Sequence, residues 1–405
     1  PGPVVISIPE DMQNQLANAP AVVPNVPIVS SPSPDQIDRL GVLIGQAEQP
    51  VMVLGASTWT SEACDQIADF AKRHDIPVVA GFRCQDKINN DHPNYVGTIG
   101  AGTPPYITDL INGSDLLICL SLELSEIVTQ GFTQFTYPKM QQTLVHIHPG
   151  EEELGRIYQP NLAIQSGTAE FAASVADRTF DVNSKRTANT KQLREQFEAF
   201  VTPSTCPGDV HIGEVLAWLD KRLPNDAIVS CGAGNYTHWV LRFIQHRNLG
   251  TQLAPLGAVM GYGVPAAISA SIQFPDRIAI AFAGDGCFLM NAQEIATAKM
   301  YGASPIFIII NNGIYGAIRM HQERAFPTRS IGTNLENPDF VAYAESFGAN
   351  AYRVAKTAEF ADVFEEAVAK PGPSLIELVV SEEAISPAFT LTELIERSLK
   401  EQAEK

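Results

Sequence analysis

Residues 277–312 read RIAIAFAGDGCFLMNAQEIATAKMYGASPIFIIINN, and the order of apolar runs and turn residues within them decides the fold. The run over 278–283 predicts a buried strand, the spacing over about 288–300 a helix, and the β-branched run over 306–310 a second buried strand. Together they make one βαβ unit. Asp285 and Asn312 stand 27 positions apart, the length of a turn, a helix and a returning strand in a unit of about 30 residues. Both residues therefore leave the carboxyl ends of parallel strands at one edge of a sheet.

The alternation extends in both directions. Strands are expected over 51–54, 78–80, 115–120 and 143–147, with helices over 35–47 and 62–74; strands over 227–230 and 374–380 flank the deciding stretch. Apolar strands alternating with helices predict parallel sheets covered on both faces. The expected fold class is α/β, with two doubly wound domains and mostly parallel sheets. The first, Rossmann-like, spans 35–177 and the second 209–384. Residues 178–208 turn polar and carry one amphipathic helix, as an interdomain connection does. The tail, 385–405, reads as a polar helix on the surface or on a neighbouring subunit.

Residues 10–34 are rich in Pro, Asn, Ala and Ser and mark a linker. Ahead of it, Pro1-Gly2-Pro3 and the run Val4-Val5-Ile6-Ser7-Ile8 parallel Pro371-Gly372-Pro373 and the strand that follows. Two such phrases also arise by chance. The sharper expectation is that residues 1–9 are the last strand of a further domain related to the one ending near 380, so that 1–34 is its end plus a linker.

The rim that carries Asp285 and Asn312 is where doubly wound sheets bind ligands. Gly284 and Gly286 let the backbone turn beside Asp285 and approach a ligand without a Cβ in the way. The expected helix after them would turn its amino-terminal N–H groups toward an anion such as phosphate. A diphosphate needs a hard cation, and magnesium takes oxygen ligands. Asp285, Asn312 and the carbonyl of Ile314 would supply that set. Gly-Asp-Gly and Asn-Asn-Gly each also make ordinary turns; it is the pair, each directly after a buried strand, that points to a site.

Composition narrows the rest. A net charge of −18 disfavours nucleic acid and anionic membrane surfaces, both of which are bound through Lys and Arg. The six cysteines are scattered without CxxC pairs and read as free thiols in a reducing compartment. No apolar run reaches the roughly 18 to 20 residues that span a bilayer, and a cytoplasmic protein is expected.

Gly284-Asp285-Gly286 followed by Asn311-Asn312 resembles the cofactor motif of thiamine-diphosphate enzymes. Nearly the whole chain resembles the central and diphosphate-binding domains of the acetolactate synthase and benzoylformate decarboxylase branch, with the first nine residues similar to the end of the pyrimidine-binding domain. The resemblance implies thiamine diphosphate and Mg2+ as cofactors. It places Ala233, Gly234, Asn235 and Tyr236 along the diphosphate, with Gly284, Asp285, Gly286, Cys287, Asn312, Ile314, Tyr315 and Gly316 around its metal end. The carbonyl of Ala258 would accept the 4′-amino group, and Met260 would wedge beneath a bent cofactor. For Met260 core packing is the alternative, and for Tyr236 a packing role stands beside a ligand role. The implied activity is decarboxylation or carboligation of 2-oxo acids by a homodimer or homotetramer. The activating Glu belongs to the pyrimidine-binding domain of a neighbouring subunit, so this chain alone is expected to hold the diphosphate end without turnover.

Departures from the family bear on substrate. Acetolactate synthases proper carry Trp nine positions after the second Asn, where this chain has His321, and the phrase from Tyr315 to His321 is more similar to the decarboxylase and other synthase-like members. Leu122-Glu123-Leu124-Ser125-Glu126 replaces the Arg-Phe-Asp-Asp-Arg phrase of flavin-binding relatives, and no FAD is expected. Arg319, His321 and Arg324 read as a solvated loop rather than a carboxylate clamp. His238 reads as structural, and His146 with His148 lacks a third ligand for a metal. The competing reading is a non-catalytic cofactor-binding or assembly module lacking the activating Glu. A dinucleotide-dependent dehydrogenase is disfavoured, since no GxGxxG follows a strand with an acid about 20 positions on.

Overall fold

The computed structural model describes residues 4–25, 28–186 and 190–404. Among the described residues twelve strands fall into two six-stranded sheets, parallel throughout. The first contains β1 (Pro50–Leu54), β2 (Val78–Ala80), β3 (Tyr95–Thr98), β4 (Leu116–Leu120), β5 (Thr143–His148) and β6 (Leu162–Gln165) in the order β3-β2-β1-β4-β5-β6. The second contains β7 (Ile228–Cys231), β8 (Gln252–Leu253), β9 (Ala279–Gly284), β10 (Ile306–Asn311), β11 (Asn350–Val354) and β12 (Ser374–Val379) in the order β11-β12-β10-β9-β7-β8. The expected α/β class with doubly wound parallel sheets is what the chain forms.

Alternation along the central strands explains the layers. Met52, Leu54 and Ile118 face one side, against Ile37, Leu40 and Ile67 of the helices Pro34–Gln46 and Ser61–Arg73. Val51, Val53, Leu117 and Cys119 face the other, against Ile107 and Ile111 of the helix Pro105–Gly113. Each fully buried aliphatic side chain contributes about 1.5–3 kcal/mol. The second sheet is enclosed likewise by one continuous core that includes Phe282, Phe288, Phe307 and Phe364.

Several expectations are corrected. Residues 4–8 form no strand, and Val5 is 93% exposed: no described segment pairs with them, and an unpaired strand has nowhere to place its backbone hydrogen bonds. Pro1-Gly2-Pro3 lies outside the described residues. The linker holds a short 3-10 turn, Glu10–Asn14. The helix expected over 288–300 is three pieces, Asp285–Phe288, Ala292–Glu294 and Ile295–Met300. Asn291 leaves helical geometry there, and its Nδ2 donates to the carbonyl of Gly261 at 3.0 Å, a tertiary bond that draws the chain out of the helix.

The connection between the domains is held down rather than free. Phe197 of the helix Thr190–Phe200 packs edge-on against Tyr95, and Arg194 donates to the carbonyls of Asn90, His92 and Tyr95. The tail forms the helix Leu391–Ala403, started by a capping box between Thr390 and Glu393. It lies on its own chain, where Leu391 and Leu394 pack with Ile314, Met320 and Ile385. No helix of the described residues is long and apolar enough to cross a membrane.

Candidate cofactor site

In the second sheet the strand order reverses between β7 and β9, and the crevice opens there. Pairing of β7 with β9 ends at Cys231 opposite Phe282, while β9 runs on to Gly284. β7 peels away into Gly232-Ala233-Gly234-Asn235, leaving a cleft of about 270 Å³ at the carboxyl ends of the strands. All fourteen residues assigned to cofactor binding from the sequence line it: Ala233, Gly234, Asn235, Tyr236, Ala258, Met260, Gly284, Asp285, Gly286, Cys287, Asn312, Ile314, Tyr315 and Gly316.

Asp285 is only 3% exposed. Its Oδ1 accepts from the Gly286 N–H at 2.8 Å, and its Oδ2 from the Gly313 N–H at 2.9 Å and Asn337 Nδ2 at 2.8 Å. Burial raises its pKa above the usual Asp value, and these three donors oppose the rise without cancelling it. Among the described residues it has no ion pair with Lys, Arg or His. A buried carboxylate held ready by neutral donors and left without a counter-charge is suited to a cation. Asn312 turns its Oδ1 back toward the Ile314 N–H at 3.3 Å, so the amide oxygen and the turn that carries the Ile314 carbonyl are tied together. Among the described residues no three His, Cys, Asp or Glu side chains are grouped so as to hold a metal ion. Asp285, Asn312 and the Ile314 carbonyl could offer a cation one carboxylate, one amide oxygen and one backbone carbonyl, oxygen donors of the kind Mg2+ takes.

The glycines fit this picture. A Cβ on Gly286 would lie 2.5 Å from the Tyr315 ring, and one on Gly284 would lie 3.2 Å from the Tyr236 ring. Tyr236 both lines the cleft and packs within the protein. Its hydroxyl accepts from the Gly232 N–H at 2.8 Å and lies 3.4 Å from Cys287 Sγ, so its polar tip is engaged inside the protein while its ring forms a wall. Burial pushes that hydroxyl far above its ordinary pKa. Met260 is 36% exposed at the cleft, outside the core. Ala258 adopts a left-handed backbone, φ 53°, a strained geometry for a residue with a side chain.

Sequence reasoning missed the support behind Asp285. Asn337 Nδ2 bridges Asp285 and the Asn311 Oδ1, Asn311 Nδ2 donates to buried Glu377 at 2.7 Å, and Arg353 closes on Glu377 at 2.7 Å. Glu336-Asn337-Pro338 signals only a turn, and nothing local ties it to a residue 52 positions away. The apolar walls Ile212, Trp239, Ile385 and Val380 were missed for the same reason.

Other candidates are dispersed. Residues 316–325 are a helix, Gly316–Ala325, rather than a solvated loop, because Met320 packs against the tail helix. Arg319 pairs with buried Glu323 at 2.9 Å and is not free for a substrate. His321 and Arg324, with Arg83 and His238, line an interdomain cleft of about 660 Å³ that adjoins the cofactor cleft, sharing Ala233, Gly234, Asn235, Ala258 and Ala317 with it. Burial lowers the His238 pKa, helped by Arg83, Arg324 and His321. His146 Nε2 lies 2.9 Å from the Leu122 carbonyl. All six cysteines are free.

Comparison with known proteins agrees with this geometry. Residues 232–378 match the thiamine pyrophosphate enzyme C-terminal TPP binding domain, and residues 37–175 match the thiamine pyrophosphate enzyme central domain. The acetolactate synthase large subunit of Corynebacterium glutamicum is 30% identical over 403 residues, covering 95% of this chain and 63% of that protein. Acetolactate synthase 1, chloroplastic, of Zea mays is 25% identical over 94% of this chain and 62% of that protein. The acetolactate synthase large subunit of Cyanidium caldarium is 27% identical over 94% and 67% respectively. The chain thus spans a little over three fifths of the first two relatives. It belongs to the thiamine pyrophosphate enzyme family, with acetolactate synthase large subunits among its relatives.

Proposed function

We propose that this chain binds thiamine diphosphate through a Mg2+ ion held by Asp285, Asn312 and the carbonyl of Ile314, as the diphosphate-binding half of a 2-oxo acid decarboxylase or carboligase. The observation that carries the reading is the buried Asp285 carboxylate, without a cationic partner, on the same cleft as Asn312. The cofactor supplies an electron sink for carbon dioxide loss from a 2-oxo acid. The chain's residues bind and shape. Asp285 and Asn312 fix the metal, and the Gly232–Asn235 turn and Gly286 let the backbone approach phosphate. Met260 and Ile314 line the cleft with apolar surface that excludes water, and the Ala258 carbonyl is the acceptor for an amino group.

Calorimetry with thiamine diphosphate tests the reading. Saturable binding that requires Mg2+ is expected, lost in Asp285→Ala; metal-independent binding, or binding retained in that variant, refutes it. A screen of 2-oxo acids for carbon dioxide release by the full-length protein then separates the enzyme from a cofactor-binding module, which would bind without turnover. The reading includes no bound flavin. The crevice at the carboxyl edge of the first sheet is only about 50 Å³ and has Glu123 on its wall, unsuited to a dianionic diphosphate; absence of flavin absorbance in the purified protein is expected. A homodimer or homotetramer is the expected assembly, read by light scattering.

A further inference from the structure

Residues 82–91, which follow β2, reach across from the first domain to residues 232–255 of the second. Gln85 Nε2 donates to the Leu241 carbonyl and its N–H to Gln252 Oε1, each at 2.9 Å. Gly250 N–H donates to Asp86, Asn90 and His246 exchange two bonds of 2.9 Å, and Arg247 pairs with Asp91 at 2.8 Å. Most of these contacts hold the outer rim of the second sheet. Arg83 is different.

Arg83 is 6% exposed, and its guanidinium has no carboxylate partner among the described residues. Nη2 donates to the Gly232 carbonyl at 2.7 Å and Nη1 to the Pro255 carbonyl. Those two carbonyls begin the two turns that line the cofactor cleft, Gly232-Ala233-Gly234-Asn235 and Pro255-Leu256-Gly257-Ala258. The Pro255 carbonyl also accepts from the Ala258 N–H at 3.1 Å, so one guanidinium pins the oxygen that closes the turn carrying strained Ala258. Arg83 is itself left-handed, φ 59°. Strained backbone persists only where the surroundings over-determine it, and here two strained residues face each other across the domain boundary. The buried guanidinium is met by those two carbonyl dipoles and by the Phe82 ring, 4.8 Å from its carbon, with its Nε unpartnered among the described residues, so its desolvation is costly and the two carbonyl bonds are what offset it.

We infer that Arg83, on the central domain, is a positioning residue for the cofactor site: it couples domain docking to the shape of both cleft turns. The inference rests on the cofactor reading above, and its test is chosen to stand apart from it. Amide hydrogen exchange of ligand-free protein is compared among wild type, Arg83→Met, Arg83→Lys and Asp91→Asn. Asp91→Asn breaks an interdomain ion pair without touching either cleft turn. Exchange at residues 232–235 and 256–258 is expected to quicken about tenfold in Arg83→Met, with Lys restoring part of the protection and Asp91→Asn changing neither turn. Thiamine diphosphate affinity should fall about tenfold in Arg83→Met and recover partly with Lys. Unchanged exchange in Arg83→Met, or equal quickening in Asp91→Asn, overturns the positioning role whether or not the cofactor binds. If wild type shows no cofactor binding while the exchange pattern is as expected, the cofactor reading fails and the coupling stands.

Discussion

The two sheets share size and direction yet differ at the point where each reverses strand order. Between β1 and β4 the ladder runs beyond the strands: Gly55 N–H donates to the Leu120 carbonyl at 2.8 Å and Ala56 N–H to Ser121 at 3.0 Å. A Cβ on Gly55 would sit 1.8 Å from the Ser121 oxygen. The crevice is zipped shut. Between β7 and β9 pairing stops two residues before β9 ends, and the gap becomes the cleft that holds Asp285. Topology thus supplies two equivalent places for a ligand, and a difference of a few rungs in the ladder decides which is open.

Gly55→Ala forces a methyl group into the closed ladder and should cost about 3 kcal/mol of stability, read by chemical unfolding. A loss of a few tenths would mean the first crevice is looser than described. Asn337→Ala removes one donor from Asp285 and should weaken Mg2+ binding about tenfold with little change in the unfolding midpoint; an unaltered metal affinity would show that Asn337 only fills space.

The folded pKa of Asp285 is raised by burial, so in the ligand-free protein its contribution favours folding below the unfolded pKa and is lost as pH rises through the folded one. The metal needs the ionised form. Stabilisation by Mg2+ and thiamine diphosphate should therefore shrink on acidification, beginning above the pH at which an ordinary Asp titrates; thermal shifts at several pH values check this, and a pH-independent shift counts against it. The smallest effect is expected at the closed crevice, where Glu123→Gln should leave cofactor affinity within about twofold, since distant independent sites do not couple.

Much of this was readable because burial leaves a plain mark on sequence. The interior strands β1, β4 and β10 are unbroken apolar runs and were placed within a residue or two. β3, β6 and β11 were not: Tyr95–Thr98 contains a glycine, Leu162–Gln165 alternates buried and exposed, and Asn350–Val354 is mostly half-buried at an edge. Asp285 and Asn312 were legible because one βαβ unit carries both. Asn337, Glu377 and Arg83 reach the cleft only through tertiary contacts between distant segments, and no spacing rule predicts those. The helix over 288–300 failed because apolar periodicity cannot register the pull of Asn291 on Gly261.

Substituting Mn2+ for Mg2+ and following its paramagnetic resonance in the presence of thiamine diphosphate measures the shared cation directly. One bound ion per chain is expected, lost alike in Asp285→Ala and Asn312→Ala. Retention of that ion in either variant would contradict the account.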